Sequence, residues 1–187
     1  MNLLKAYYHF INDPSATLKA LLARRAFNEA LWGYFAAALS WVLFFNIGDG
    51  LSIPAFLFKL FVLFLAELTV GYLVASICAL FLDFSDIKSS PAELFILLGL
   101  CGFIKGLLIG FALISAALPY AQLGYLAPIA IVLVWGLQLG YLTYGLQRSY
   151  QAKVGKALTA WLFVFVPAIA VCILVPIFFI WAITLLF

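Results

Sequence analysis

Charge is what this sequence has least of. Asp, Glu, Lys and Arg make up 9% of its 187 residues, 68% are hydrophobic, and mean hydropathy is +1.22. A soluble domain carries roughly 25% charged residues. That scarcity excludes a soluble globular domain, whose core could not hide so much apolar surface, and makes lipid the proper exterior. Histidine is nearly missing as well, with His9 alone and in the N-terminal arm. No histidine pair for a metal and no set of nucleophile, histidine and acid can be assembled in the apolar segments. A glycine-rich phosphate loop is also lacking. Neither enzymatic activity nor a metal or cofactor is expected. The cysteines, Cys78, Cys101 and Cys172, fall in apolar runs and read as small hydrophobes instead of a disulfide framework. Ten basic against seven acidic residues leave a net charge of +3, with no nucleic-acid patch. Lys5, Asp13, Lys19, Arg24 and Arg25 interrupt the first 26 residues, so no cleaved signal peptide is expected.

What the chain does have is long apolar runs. A hydrocarbon core of about 30 Å needs about 20 helical residues, and five runs meet that length: roughly 31–47, 55–82, 94–118, 126–147 and 157–187. The fifth carries Pro167 and Pro176, and its 31 residues would span about 46 Å at 1.5 Å per residue, so tilt or kinks must absorb the excess. The fold class is therefore an all-α integral membrane protein, a single domain over residues 1–187 with a five-helix bundle behind an arm of about 30 residues. In that arm Asp13 and Pro14 form an N-cap and first-turn pair, and "SATLKALLARRAF" sets leucines apart from basic residues. This predicts a short helix on the membrane interface.

Loop charges orient the bundle. Lys5, Lys19, Arg24 and Arg25 precede the first span, Lys88 lies between the second and third, and Arg148, Lys153 and Lys156 lie between the fourth and fifth. The opposite loops, 48–54 and 119–125, contain no basic residue. The positive-inside rule puts the N-terminus in the cytoplasm and the C-terminus outside. The basic face of Arg24, Arg25, Arg148, Lys153 and Lys156 could touch anionic lipid or a protein partner, although positive-inside bias alone would place those charges there.

Two basic residues remain inside spans. Lys59, five residues after Pro54, can snorkel to the outer interface. Lys105 sits deep in the third span, where an unpaired Lys costs on the order of 3 kcal/mol. Its candidate partner is Glu67, the acidic residue deep in the second span. In antiparallel neighbours their depths differ by roughly four residues, about 6 Å, which a lysine stem can cover. Such a pair can fix helix register, or serve an ion, proton or lipid path together with Thr69, Gln138 and Thr143; Lys105 can also snorkel alone. Gly102, Gly106 and Gly110 recur every fourth residue, and Gly136 and Gly140 repeat the spacing, which predicts close packing of the third and fourth spans.

The arm segment "FINDPSATLKALL" and the stretch "WGLQLGYLTYGLQRSYQAKVGKA" resemble the Ypt-interacting-protein (Yip) domain family in its compact bacterial form. The resemblance covers nearly the whole chain and rests most on Asp13, Pro14, Trp135, Tyr144, Gly145, Leu146, Lys156 and Ala157. It implies five spans with the N-terminus inside, in a bacterial inner (plasma) membrane. Eukaryotic members look like vesicle-traffic factors that bind prenylated Rab GTPases through longer N-terminal regions than the one here. The function expected is thus a non-enzymatic membrane-organising or partner-binding protein. The alternative is a small transporter, channel or lipid scramblase built on Glu67 and Lys105. A homo-oligomer is compatible with either.

Overall fold

The computed structural model describes residues 26–46, 52–116 and 120–166, with Tyr8, Ala16, Thr17, Ala20 and Arg24 of the arm. Side chains are described to Ile114 and again from Ala127. Of the expected interfacial helix, Ala16, Thr17 and Ala20 are helical, while Asp13, Pro14 and Arg25, like residues 167–187 of the expected fifth span, lie outside the described residues.

All the regular structure among the described residues is helical. The elements are α1 (Phe27–Asn46), α2 (Ile53–Phe84), α3 (Pro91–Gly102), a 3-10 turn (Phe103–Gly106), α4 (Leu107–Ala116), α5 (Tyr120–Tyr150) and α6 (Val154–Val166). Three segments are long and apolar enough to cross a membrane: Ile53–Phe84, Pro91–Ile114 and Ala127–Tyr150. Helix α1 is less apolar, because Asn28, Glu29 and Asn46 occupy its end turns and Trp, Tyr and Gly its interior. The helices run beyond the apolar runs because polar residues suit helix ends. Glu29 sits in the first turn of α1, where the helix dipole favours an anion. Ser52 caps α2 by accepting from the Ala55 amide, and Pro91 opens α3, where a missing N–H does no harm. Asp86 (φ 60°) and Gln151 (φ 52°) turn left-handed just past α2 and α5.

Contacts between helix ends show an alternating up-and-down arrangement. At one end the Phe27 ring stacks on Phe95 at 5.5 Å, Tyr150 Oη donates to Glu93 Oε2 at 2.8 Å, and Lys156 Nζ donates to the Ser85 carbonyl at 3.2 Å. At the other end Lys59 Nζ donates to Asn46 Oδ1 at 2.5 Å. Arg24, Lys88, Arg148, Lys153 and Lys156 therefore lie in or beside the chain reversals of the first end.

The third apolar segment is the centre of the bundle. Every residue from Leu94 to Gly102 is buried, so α3 is covered on all sides. A helix that is hydrophobic all round belongs in a core. Tyr34 of α1, Leu82 of α2, Leu142 and Leu146 of α5 and Trp161 of α6 share the main core cluster with it. Large apolar side chains of α2, among them Phe58, Phe61, Val70 and Leu73, point outward, as a lipid-facing helix requires.

Small residues do mediate the closest approach, but the partner is α1. A Cβ on Gly102 would lie 2.7 Å from the Gly33 carbonyl oxygen, and one on Gly99 2.6 Å from that of Ala30. Gly71 of α2 lies under the Tyr34 ring, whose Oη donates to the Phe95 carbonyl at 2.9 Å. The expected ladder does not form: Cβ atoms on Gly106, Gly110, Gly136 and Gly140 would meet no described atom within 4 Å. Helix α5 meets α3 through Gly145 under Leu97, and meets α4 where Ala130 and Val134 join Leu108. Repeat spacing puts glycines on one stripe, but the neighbouring helices decide whether that stripe is covered.

Gly33→Val and Gly102→Val should each destabilise the fold by the ~1–3 kcal/mol typical of overpacking, read as a lower thermal midpoint of helix unfolding in detergent. Gly136→Ala should stay within about 0.5 kcal/mol of wild type. Equal effects at the three positions, read by circular dichroism, would remove α1 and α3 as the tight interface.

Candidate functional site: a charged cluster between three helices

The 3-10 turn interrupts the central helix at Lys105, where i to i+3 winding tightens the chain. From there Lys105 Nζ donates to Glu67 Oε1 of α2 at 2.6 Å. Trp41 of α1 completes the cluster: its Nε1 donates to the same Glu67 oxygen at 3.1 Å, and its ring lies under Lys105 Nζ at 5.9 Å. The Lys105 and Glu67 side chains keep only 12% and 18% of their surface exposed. The carboxylate thus accepts one bond from a cation and one from an indole, while the ammonium has an anion on one side and a π face on the other.

Aromatic packing holds Trp41 in place. Phe45 stacks on it at 5.4 Å with an interplanar angle of 9°, and Phe44 meets it edge-on at 6.4 Å. Trp41, Phe44 and Ile104 then pack on Leu108, Ala130 and Val134, which ties the cluster to α4 and α5. The polar residues considered alongside the pair stay apart from it. Thr69 Oγ1 donates to the Leu65 carbonyl of its own helix at 2.9 Å and is exposed. Thr143 is buried with Oγ1 unpartnered among the described residues, and Gln138 is half-buried on α5.

Trp41 is the member that sequence reading missed. One Trp among the aromatics of α1 gives no signal by itself, and only the placement of α1 beside the pair selects it. The sole hint was that a buried indole N–H needs an acceptor.

At the basic end the described residues are engaged in different ways, and Arg25 lies outside the described residues. Arg24 pairs with Glu29, Lys156 is engaged with the Ser85 carbonyl, Lys153 is exposed, and Arg148 lies 5.3 Å from the centre of the Tyr144 ring. Of the other motif residues, Trp135 is exposed, while Gly145, Leu146 and Ala157 are buried in the helix packing. Among the described residues no group of three or more His, Cys, Asp or Glu side chains could hold a metal. Compared with known proteins, the chain matches no family model, no curated protein and no solved structure.

Removing one partner of a buried pair strands the other charge. Glu67→Gln and Lys105→Met should each destabilise the fold by ~3–5 kcal/mol, and the double variant by clearly less than the sum of the two. Trp41→Phe, which loses a hydrogen bond to a charged acceptor, should cost about 1.5–3 kcal/mol. Additive effects in a double-mutant cycle, measured by unfolding in detergent, would contradict the contact.

Proposed function

We propose that this chain is a multi-pass membrane protein of the Yip type, with five spans and its basic end in the cytoplasm. In this reading it organises the inner membrane, or binds a partner there, without catalysing a reaction. The division of its charges carries the proposal. Inside the apolar helices Glu67 and Lys105 are occupied with each other and with Trp41. The remaining described basic residues, Lys59 excepted, gather at one end of the bundle, where Lys88, Arg148 and Lys153 are exposed or half-exposed. Positive-inside bias places that end in the cytoplasm, and each basic group near an anionic surface adds about 1 kcal/mol of attraction. The 20 residues of α1 span about 30 Å, enough for a fourth crossing. The apolar run that includes α6 supplies the fifth.

A transporter, channel or scramblase is the second reading. One feature favours it: the irregular turn carrying Lys105, since breaks in apolar helices near mid-membrane recur at functional sites.

Reconstitution separates the two. Wild-type protein in liposomes should show lipid scrambling and ion leak no greater than empty liposomes. In cells, a single cysteine replacing Lys153 should be reached by thiol reagents from the cytoplasmic side, and one replacing Ser52 from the outside. Activity in the wild type that disappears in folded Glu67→Gln and Lys105→Met variants would replace the organising role with transport.

A further inference from the structure

Gly136, Gly140, Tyr144 and Arg148 follow one another at intervals of four along α5. They form a single stripe down the helix, which the two missing side chains hollow out. The result is a groove of about 350 Å³ lined by Gly136, Leu137, Gly140, Tyr141 and Tyr144. Gly136 and Gly140 are exposed, and no described atom would meet a Cβ on either. Helical side chains lean toward the helix N-terminus. Arg148 accordingly reaches back over Tyr144, the last residue of the groove lining, with its guanidinium 5.3 Å from the ring centre. Among the described residues it has no carboxylate partner.

From this geometry we infer a binding site for one anionic glycerophospholipid of the basic-side leaflet: an acyl chain lies in the glycine groove, and Arg148 takes the phosphate. The dimensions agree. Twelve residues separate Gly136 from Arg148, about 18 Å along the axis, against about 15 Å for half of a 30 Å hydrocarbon core. The chemistry agrees as well, because a planar guanidinium with no carboxylate partner among the described residues is suited to phosphate and the apolar lining to a hydrocarbon chain. A second copy of this chain is the poorer occupant. Two copies inserted with the same orientation would bring Arg148 beside its own equivalent, and like charges in contact are unfavourable. The site rests on the membrane-embedded part of the proposed function, not on the organising role.

The test uses full-length protein in mild detergent, incubated with phosphatidylglycerol or phosphatidylcholine and read by native mass spectrometry. Wild type should retain phosphatidylglycerol in preference to phosphatidylcholine. Gly140→Leu, which fills open space, should abolish that retention. Arg148→Gln should weaken phosphatidylglycerol retention about fivefold, the worth of one basic group at an anionic surface, and phosphatidylcholine retention by less, because choline already balances that phosphate. Should Gly140→Leu fail to fold, Arg148→Gln decides alone, since it leaves the groove intact. Unchanged retention in the folded variants, or equal retention of both lipids by the wild type, overturns the site. A wild-type dimer that Gly140→Leu converts to monomer also overturns it, by making a second copy the occupant. Failure of the membrane reading is distinguishable, for the protein would then leave cell membranes without detergent.

Discussion

An ammonium group surrounded by apolar helices needs an anion within reach, and that need fixes the registers of this bundle. Lys105 meets Glu67 at 2.6 Å. Sliding α2 past the central helix by one turn would separate them by about 5.4 Å more, breaking the bond and leaving both charges stranded in a medium of low dielectric. Trp41 extends the constraint to α1 by sharing the same carboxylate oxygen. With α1 held there, Gly33 lies against Gly99 and Gly102, eight residues back along α1. The polar contact sets position, and the glycine contact converts that position into close packing. Lipid tails are as apolar as leucine, so helices inside a membrane gain little from hydrophobicity alone and depend on such pairings.

The central place of α3 explains the distribution of side-chain sizes. It is covered by α1 through small residues, by α2 through a stripe from Gly71 to Leu82, and by α5 through Gly145, Leu142 and Leu146. Bulky residues are displaced outward, notably on α2. The reversed polarity pattern of a membrane protein is thus partial, because α3 carries an ordinary tight core while its neighbours present apolar surface to lipid.

Much of this architecture was legible in the sequence. Run lengths marked the long apolar helices, because the bilayer imposes a ruler on them. Depth counting brought Glu67 and Lys105 together, because two charges inside apolar runs have few alternatives. Trp41 escaped because aromatics are common in such helices and a hydrogen bond leaves no periodic trace. The glycines misled for a related reason: spacing reports which residues share a face but not what covers it, so the stripe at Gly136 and Gly140 pointed to packing where the structure has a groove. Gly33 and Gly99, on different helices, share no sequence pattern at all.

The turn at Phe103–Gly106 also changes the angular bookkeeping of the central helix. Four residues wound at about 120° each instead of 100° advance the following segment by roughly 80°, and lengthen it by about 2 Å. Helix α4 therefore faces a different direction from the one α3 would dictate by continuation. Leu108 reaches Ala130 and Val134 of α5 on that rotated face, while Leu97, before the turn, meets the same helix at Gly145. Eleven residues at about 100° each would leave Leu97 and Leu108 on nearly one face of an uninterrupted helix; the turn sets them apart, and helix α5 meets one before it and the other after it. The four-residue turn acts as a gear between the halves of the bundle, and a change in its winding would reach α5 without touching a residue of α5.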